Sequence, residues 1–271
     1  MLMELLPVEM VNEILLQVNK PTLYQVAQVC KQWRHLALQH VVPIKTYEDF
    51  SIACTIGDRL SIIQSKSIQD WINKGFEDAC EAGHHNIVQL MISKGADDWN
   101  NGLESACLGG HQEIVQLMIT KGADDWNTGL YYACIMGYQE IVHLMITKGA
   151  NNWNYGLYGA CQGGHQALVE LMITKGANNW NGGLTGSCKS GHKELVQLMI
   201  TKGANCWHSG FVSACQAGHQ ALVQLMVTQG SDDWNYGLSA AYEGRHQTLV
   251  QLMIDKGASN CDWCAKSVAL H

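Results

Sequence analysis

Long hydrophobic runs and positive charge are what this sequence lacks. No apolar run reaches the roughly 18 residues that a membrane-spanning helix needs, so we expect no membrane partner. Lys and Arg number 17 against 24 Asp and Glu, a net charge of −7. This balance does not attract a phosphate backbone, and nucleic acid is not an expected partner. The 47% apolar content excludes a disordered polymer and suffices for a sizeable core.

The first residues also lack the features of a secretory signal peptide. They have no basic start and no small-residue cleavage site, and Glu4, Glu9 and Glu13 fall where an apolar stretch would be needed. We therefore expect an intracellular protein, cytoplasmic or nuclear.

The eleven cysteines do not have the spacing of a secreted disulfide framework. Seven of them recur at intervals of 26 or 27 residues: Cys54, Cys80, Cys107, Cys134, Cys161, Cys188 and Cys215. Equivalent positions in stacked helices lie roughly 8–10 Å apart, whereas a disulfide needs Cα atoms closer than about 7 Å. The spacing therefore predicts reduced, buried thiols.

A repeat of 27 residues dominates the chain. Tryptophan recurs at this spacing at Trp99, Trp126, Trp153, Trp180, Trp207 and Trp234. The repeated phrase begins in a degenerate form at Phe50 and last recurs at Leu238, which makes eight units. The sequence of each unit predicts two short helices. In the copy that contains Leu103 they lie over about 102–108 and after His111. Such a pair cannot bury its apolar side chains alone, so the units must stack as a solenoid.

The order of residues in one unit indicates the family of repeat. Residues 106–124 read AC-x2-GH-x-EIV-x-LMI-x2-GAD, and this pattern resembles an ankyrin repeat over about residues 47–260. The resemblance implies an all-α, ankyrin-like solenoid of about eight helix pairs. The usual ankyrin period is about 33 residues, so reduced β-hairpin fingers are expected, with tryptophan filling the space near their base. Short repeats of this style are similar to those of large DNA viruses of amoebae, which by analogy implies a viral protein in an infected host cell.

Residues 1–42 show no trace of this phrase. LPxE at 6–9, EIL at 13–15, Leu23 and CKxWRxLA at 30–37 together resemble an F-box. This resemblance implies docking on the Skp-type adaptor of a cullin–RING ubiquitin ligase. The residues that would carry or support the docking are Leu6, Pro7, Ile14, Leu15, Leu23, Val29 and Trp33. The alternative is a helical cap on the first repeat, since a solenoid needs a polar-faced end.

The predicted organisation is an F-box-like helical domain at 1–42, an ankyrin-repeat solenoid at 43–260 and a tail at 261–271. The leading hypothesis is a substrate receptor that links a captured protein to the ubiquitin ligase, without chemistry of its own. The alternative is an ankyrin scaffold or sequestering protein with no ubiquitin role.

No candidate catalytic, cofactor or metal site emerges, so we do not expect an enzyme. Cys-x3-His recurs five times, but a glycine before each histidine ends the helix, and a closed zinc site needs four ligands. For the cysteine and the histidine of this motif, a role in packing and in forming the corner between the two helices is favoured. Cys261 and Cys264 form a lone pair in the tail, and the recurring Asp-Asp pairs are typical of turns.

Positions that differ among the repeats are the candidates for recognition. They fall on the first-helix side, which in ankyrin proteins is the concave binding face. The candidate contacts for an unidentified protein are Tyr131, Tyr132, Met136, Tyr155, Tyr158, Lys189 and Tyr236. Their aromatic composition is typical of an interface hot spot. Alternatively, these are solvent positions that drift freely.

Overall fold

The computed structural model describes Cys54 and residues 71–259. Residues 71–259 contain fourteen α-helices and no β-strand. They fall into two compact units, Met1–Asp124 and Asp125–His271, which are described separately.

In the first unit, the described helices form two pairs. The four helices are α1 (Ile72–Ala82), α2 (His85–Ser93), α3 (Trp99–Gly109) and α4 (Gln112–Lys121). Helix α1 packs against α2 and against α3, and α3 packs against α4.

In the second unit, ten helices form five pairs. The helices are α5 (Trp126–Met136), α6 (Gln139–Lys148), α7 (Trp153–Gly163), α8 (Gln166–Lys175), α9 (Trp180–Ser190), α10 (Lys193–Lys202), α11 (Trp207–Ala217), α12 (Gln220–Thr228), α13 (Trp234–Glu243) and α14 (Gln247–Asp255). The first helices of successive pairs pack on one another, and each packs on the second helix of its own pair. The predicted all-α, ankyrin-like stack of helix pairs is therefore confirmed in the described residues.

The first helix of each pair is longer than the sequence pattern indicated. We expected a helix over about 102–108, whereas α3 spans Trp99–Gly109. The helix begins earlier because the Asp98 carboxylate accepts a hydrogen bond from the backbone N–H of Asn101, which caps its first turn. It ends where Gly110 takes the left-handed conformation, with φ 78°.

The core of each pair is built from the same few positions. In α3 and α4, Leu103, Cys107, Val115 and Met118 are fully buried. Glycine precedes this leucine, or the phenylalanine Phe211 in its place, in every described repeat that opens with tryptophan. Gly156 shows the reason: a Cβ there would lie 2.5 Å from the sulfur of Met172. The Gly-Leu phrase is therefore a packing requirement between the two helices of one pair.

The repeated cysteines are free and buried, as predicted. Burial raises the pKa of five of these thiols to about 12: Cys107, Cys134, Cys161, Cys188 and Cys215. Burial also raises the pKa of Cys54 and Cys80. At neutral pH all seven are thiols, which act as small apolar side chains.

Within residues 71–259, no helix has both the length and the apolar character needed to cross a membrane.

Candidate protein-binding surface

Asparagines on the first helices fix the register between neighbouring repeats. In the second unit, Asn127 Oδ1 accepts hydrogen bonds from the backbone N–H groups of Asn151 and Asn152 at 2.9 and 2.8 Å. Asn154 and Asn181 make the equivalent pairs of bonds one and two repeats further on. Each bond joins the start of one first helix to the turn before the next. The first helices are therefore held side by side, and their variable positions form one surface.

The turns before the first helices confirm the turn role that the sequence predicted for the aspartate pairs. The second residue of the pair caps the helix: Asp125 Oδ1 accepts from the N–H of Thr128 at 3.1 Å. Asn152 does the same for Tyr155, also at 3.1 Å. Aspartate and asparagine are thus interchangeable as caps in this fold.

The histidine of the repeated Cys-x3-His motif forms a corner between repeats. The imidazole of His165 packs under Gly137, where a Cβ would overlap the ring. Its Nε2–H donates to the carbonyl oxygen of Ile135 at 3.0 Å. His111 and His246 make the same bond to the preceding repeat. Because the cysteines of the motif are instead buried in the core, cysteine and histidine serve separate packing roles.

Within the described residues, no group of three or more His, Cys, Asp or Glu side chains is placed to hold a metal ion. The tail pair Cys261 and Cys264 lies outside those residues.

The tryptophans that open the first helices are half-buried and pack on their neighbours. In the first unit, the Trp99 ring meets Phe76 edge-on, with the ring centroids 5.8 Å apart. In the second unit, Trp234 meets Phe211 with the same geometry. In both cases the tryptophan contacts the phenylalanine that occupies the leucine position of the preceding repeat.

Four of the predicted contact residues form one cluster in the second unit. We call Tyr131, Tyr132, Tyr155 and Tyr158 the tyrosine cluster. The Tyr131 ring stacks on that of Tyr155, with centroids 4.0 Å apart and planes 5° from parallel. Its centroid lies 6.0 Å from that of the Tyr158 ring and 5.0 Å from that of the Tyr132 ring, which it meets edge-on. All four rings are half-buried, so each keeps part of its surface accessible.

Glycine at position 159 makes this stacking possible. A Cβ on Gly159 would lie 2.7 Å from the carbonyl oxygen of Tyr131 and 3.0 Å from its ring. Glycine at this position therefore lets α7 approach α5 closely. Burial raises the pKa of Tyr131 to about 12, and the neighbouring hydroxyls of Tyr158 and Tyr155 add to this effect. The phenol is neutral at physiological pH and can donate a hydrogen bond to a ligand.

The other three predicted contacts are exposed but lie apart from this ring stack. Met136 ends α5 and is 42% exposed. Lys189 lies in the last turn of α9 and is exposed. Tyr236 in α13 is 61% exposed and meets the ring of His208 edge-on at 5.3 Å.

His208 is a surface residue that the sequence reasoning missed. It stands where the other repeats have the register-fixing asparagine, directly after Trp207. Its Nδ1 lies 4.0 Å from the carboxylate of Asp233. The sequence signal that could have identified it is the replacement of the recurring Trp-Asn dipeptide by Trp-His at this repeat.

The residues predicted to contact the adaptor all lie outside the described residues: Leu6, Pro7, Ile14, Leu15, Leu23, Val29 and Trp33.

Comparisons with known proteins identify two kinds of module. Residues 76–155 match the family model described as ankyrin repeats in three copies, and residues 3–42 match the model described as F-box-like. A search of curated proteins finds no match. Among solved structures, the crystal structure of the human ASB11 ankyrin repeat domain is similar at 17% identity, covering 69% of this chain and 99% of that chain, with a TM-score of 0.41.

The chain therefore carries ankyrin repeats and, ahead of them, an F-box-like segment. Both are typically non-catalytic modules that bind other proteins. Their combination in one chain defines a protein-interaction adaptor.

Proposed function

We propose that this chain is a substrate receptor of a cullin–RING ubiquitin ligase. The F-box-like segment, 1–42, binds the Skp-type adaptor, and the repeats, 43–260, capture a protein on their first-helix face. Other subunits transfer ubiquitin, and this chain contributes proximity. The observation that carries the proposal is the F-box-like match at residues 3–42 ahead of ankyrin repeats at 76–155.

The tyrosine cluster supports the capture role. Tyrosine supplies a large, rigid apolar surface with a polar tip, and hot spots of protein interfaces are enriched in it. Stacking between Tyr131 and Tyr155 fixes both rings before a partner arrives. Less conformational entropy is then lost on binding. We assign Met136, Lys189 and Tyr236 to the outlying parts of the same face.

Co-purification with the Skp-type adaptor tests the first half of this proposal. The wild-type chain should recover the adaptor, and a Leu15→Asp/Trp33→Ala variant should not. A Tyr131→Ala/Tyr155→Ala variant is the matched control and should recover the adaptor like wild type. Equally poor recovery by wild type and by the Leu15→Asp/Trp33→Ala variant would refute the receptor role.

Deletion of residues 1–42 separates the receptor from a scaffold with a helical cap. A receptor loses the adaptor on deletion, whereas its repeats still bind the captured protein. If the segment is only a cap, deletion lowers the melting temperature, leaves partner recovery unchanged, and the intact chain never recovers the adaptor.

A further inference from the structure

Charge is distributed unevenly along the repeats. Between Trp126 and Ser231 the sequence has five lysines, three glutamates, and neither aspartate nor arginine. This stretch is net positive, although the chain as a whole carries a net charge of −7. The positive stretch lies entirely in the second unit.

The difference arises in the turns before the tryptophans. The turns that contain two aspartates are Asp97-Asp98, Asp124-Asp125 and Asp232-Asp233. The three successive turns between them contain no carboxylate and read Asn151-Asn152, Asn178-Asn179 and Asn205-Cys206. Capping does not explain the change, because Asp125 and Asn152 cap their helices with equal 3.1 Å bonds. The change removes negative charge and leaves the backbone the same.

Each of these three turns follows an exposed lysine at the end of a second helix. We call Lys148, Lys175 and Lys202 the lysine edge. Lysine at this position favours the helix dipole, which accounts for lysine in most repeats but not for the loss of aspartate beside these three. Lys175 Nζ lies 5.9 Å from the centroid of the Trp153 ring. Within the described residues, none of the three makes a salt bridge.

The asparagines beside the lysine edge can also donate hydrogen bonds, which aspartate cannot. Asn178 Oδ1 accepts from Asn154 Nδ2 at 3.4 Å, and Asn205 Oδ1 accepts from Asn181 Nδ2 at 3.3 Å. These contacts use the side-chain oxygen, so the Nδ2 groups of Asn178 and Asn205 can donate to a ligand. The edge thus offers positive charge and amide donors at regular intervals.

We propose that the lysine edge binds an acidic segment of a partner protein in the polyproline II conformation, with a carboxylate at every third residue. Packed helices lie roughly 8–10 Å apart. A polyproline II chain rises ~3.1 Å per residue with three residues per turn, so every third side chain recurs on one side at about 9 Å. One carboxylate then meets each lysine. The chain's carbonyl groups, which make no internal hydrogen bonds, accept from the asparagine amides.

A nucleic acid fits this surface less well. Each DNA strand carries a phosphate about every 3.4 Å, a much denser row of charge than lysines spaced at the repeat distance. The acidic remainder of the chain would also repel a long polyanion. The inference does not depend on the adaptor role.

Fluorescence anisotropy of the full chain with a labelled peptide of four Pro-Pro-Glu repeats tests the proposal. One variant, Lys148→Gln/Lys175→Gln/Lys202→Gln, copies the glutamine that occurs naturally at Gln229. A second, Asn151→Asp/Asn178→Asp/Asn205→Asp, leaves the lysines in place and copies the natural turn at Asp124. Both should retain the fold and weaken peptide binding by about tenfold. A Lys94→Gln/Lys121→Gln variant is the control and should bind like wild type.

Four results would overturn the proposal: no binding of the Pro-Pro-Glu peptide, equal binding of a peptide with its glutamates grouped together, equal loss in the Lys94/Lys121 control, or tighter binding of duplex DNA. Adaptor recovery by the two triple variants should stay at the wild-type level, so failure here is distinguishable from failure of the receptor role.

Discussion

The imidazole of His165 lies beneath Gly137 of the preceding repeat, and its Nε2–H donates to the carbonyl oxygen of Ile135 at 3.0 Å. The His165 side chain thereby fills the space at the end of α5 in the preceding helix pair. It also provides a hydrogen-bond donor to a carbonyl group in the last turn of that helix. The same arrangement links His111 to Gly83 in the first unit. Repeats that are too small to be stable alone are thus joined by a contact that is specific in both shape and polarity.

This corner predicts a large effect of a single methyl group. Gly137→Ala should lower the free energy of unfolding by about 2–4 kcal/mol, because it adds overlap with the His165 ring to the cost of a left-handed alanine. Urea denaturation measures the change. Gly176→Ala is the matched control: its φ of 110° is also left-handed, but nothing lies within 4 Å of the added Cβ. Equal losses in the two variants would mean that the histidine corner contributes no packing specificity.

The repeat that opens at Trp207 departs from the others at two structural positions. Cys206 replaces the capping Asp or Asn and provides no side-chain cap to the backbone, and His208 replaces the register-fixing asparagine. Cys206→Asp should therefore raise the free energy of unfolding by about 1 kcal/mol. Adding His208→Asn should stabilise the chain further, because the new amide oxygen can accept the N–H groups of the next turn.

Thermal melting of the single and double variants checks this expectation. The reverse change, Asn179→Cys, removes an existing cap and should lower the melting temperature. If Cys206→Asp leaves the melting temperature unchanged while Asn179→Cys lowers it, the cap at this repeat is not limiting for stability.

The buried thiols predict a loss of stability in alkali. Burial raises the pKa of Cys161 to about 12 in the folded chain, whereas an unfolded cysteine ionises near about 8.5. Ionisation therefore favours the unfolded state as the pH rises above the unfolded value. The stability that Cys161 contributes should be fully present below about pH 8.5 and should decline as the pH rises towards 12.

Denaturation curves measured between neutral and alkaline pH test this prediction. A Cys161→Ala variant is the control, and its stability should fall less steeply with pH than that of wild type. Identical pH dependence in the two proteins would show that the buried thiol is not linked to folding.

Much of this architecture could be predicted from sequence because its periodicity is nearly perfect. The 27-residue spacing of tryptophan and the buried positions Leu103, Cys107 and Val115 follow directly from the pattern. The start of α3 was wrong by three residues, because the cap of Asp98 sets the helix start. Half-buried Trp99 lies one helical turn before Leu103, so the apolar pattern extends to the true start, but the prediction began only at the Gly-Leu phrase.

The candidate surface was predictable only in part. Variation among repeats identified the tyrosines, but no sequence rule indicated that Tyr131 and Tyr155 stack at 4.0 Å. That geometry depends on Gly159, whose missing side chain lets two helices approach. The role of His208 was missed for a related reason. The effect of a substitution at one position of a repeat can be inferred only when the contact made by the usual residue, here asparagine, is known.

The tyrosine cluster predicts a specific change in ligand capture. Tyr155→Ala removes the ring that stacks on Tyr131 and should weaken binding of the captured protein by roughly 2 kcal/mol, the loss typical of a hot spot. The measurement is cross-linking of the chain in cell extract followed by mass spectrometry. The protein that cross-links to wild type near α5 and α7 should be absent with the Tyr155→Ala variant. Ser213→Ala, at the position of Gly159 two repeats further on, is the control and should keep it.

The central claim is that one chain bridges the ligase adaptor and a captured protein. Affinity purification through the tagged Skp-type adaptor tests it most directly, with recovery of this chain and of the captured protein measured together. We predict that the adaptor recovers the wild-type chain together with the captured protein. It should recover the Tyr131→Ala/Tyr155→Ala variant without the captured protein. With the Leu15→Asp/Trp33→Ala variant it should recover neither the chain nor the captured protein. Recovery of neither the wild-type chain nor the captured protein through the tagged adaptor, while the chain still captures that protein when purified by itself, would contradict the claim.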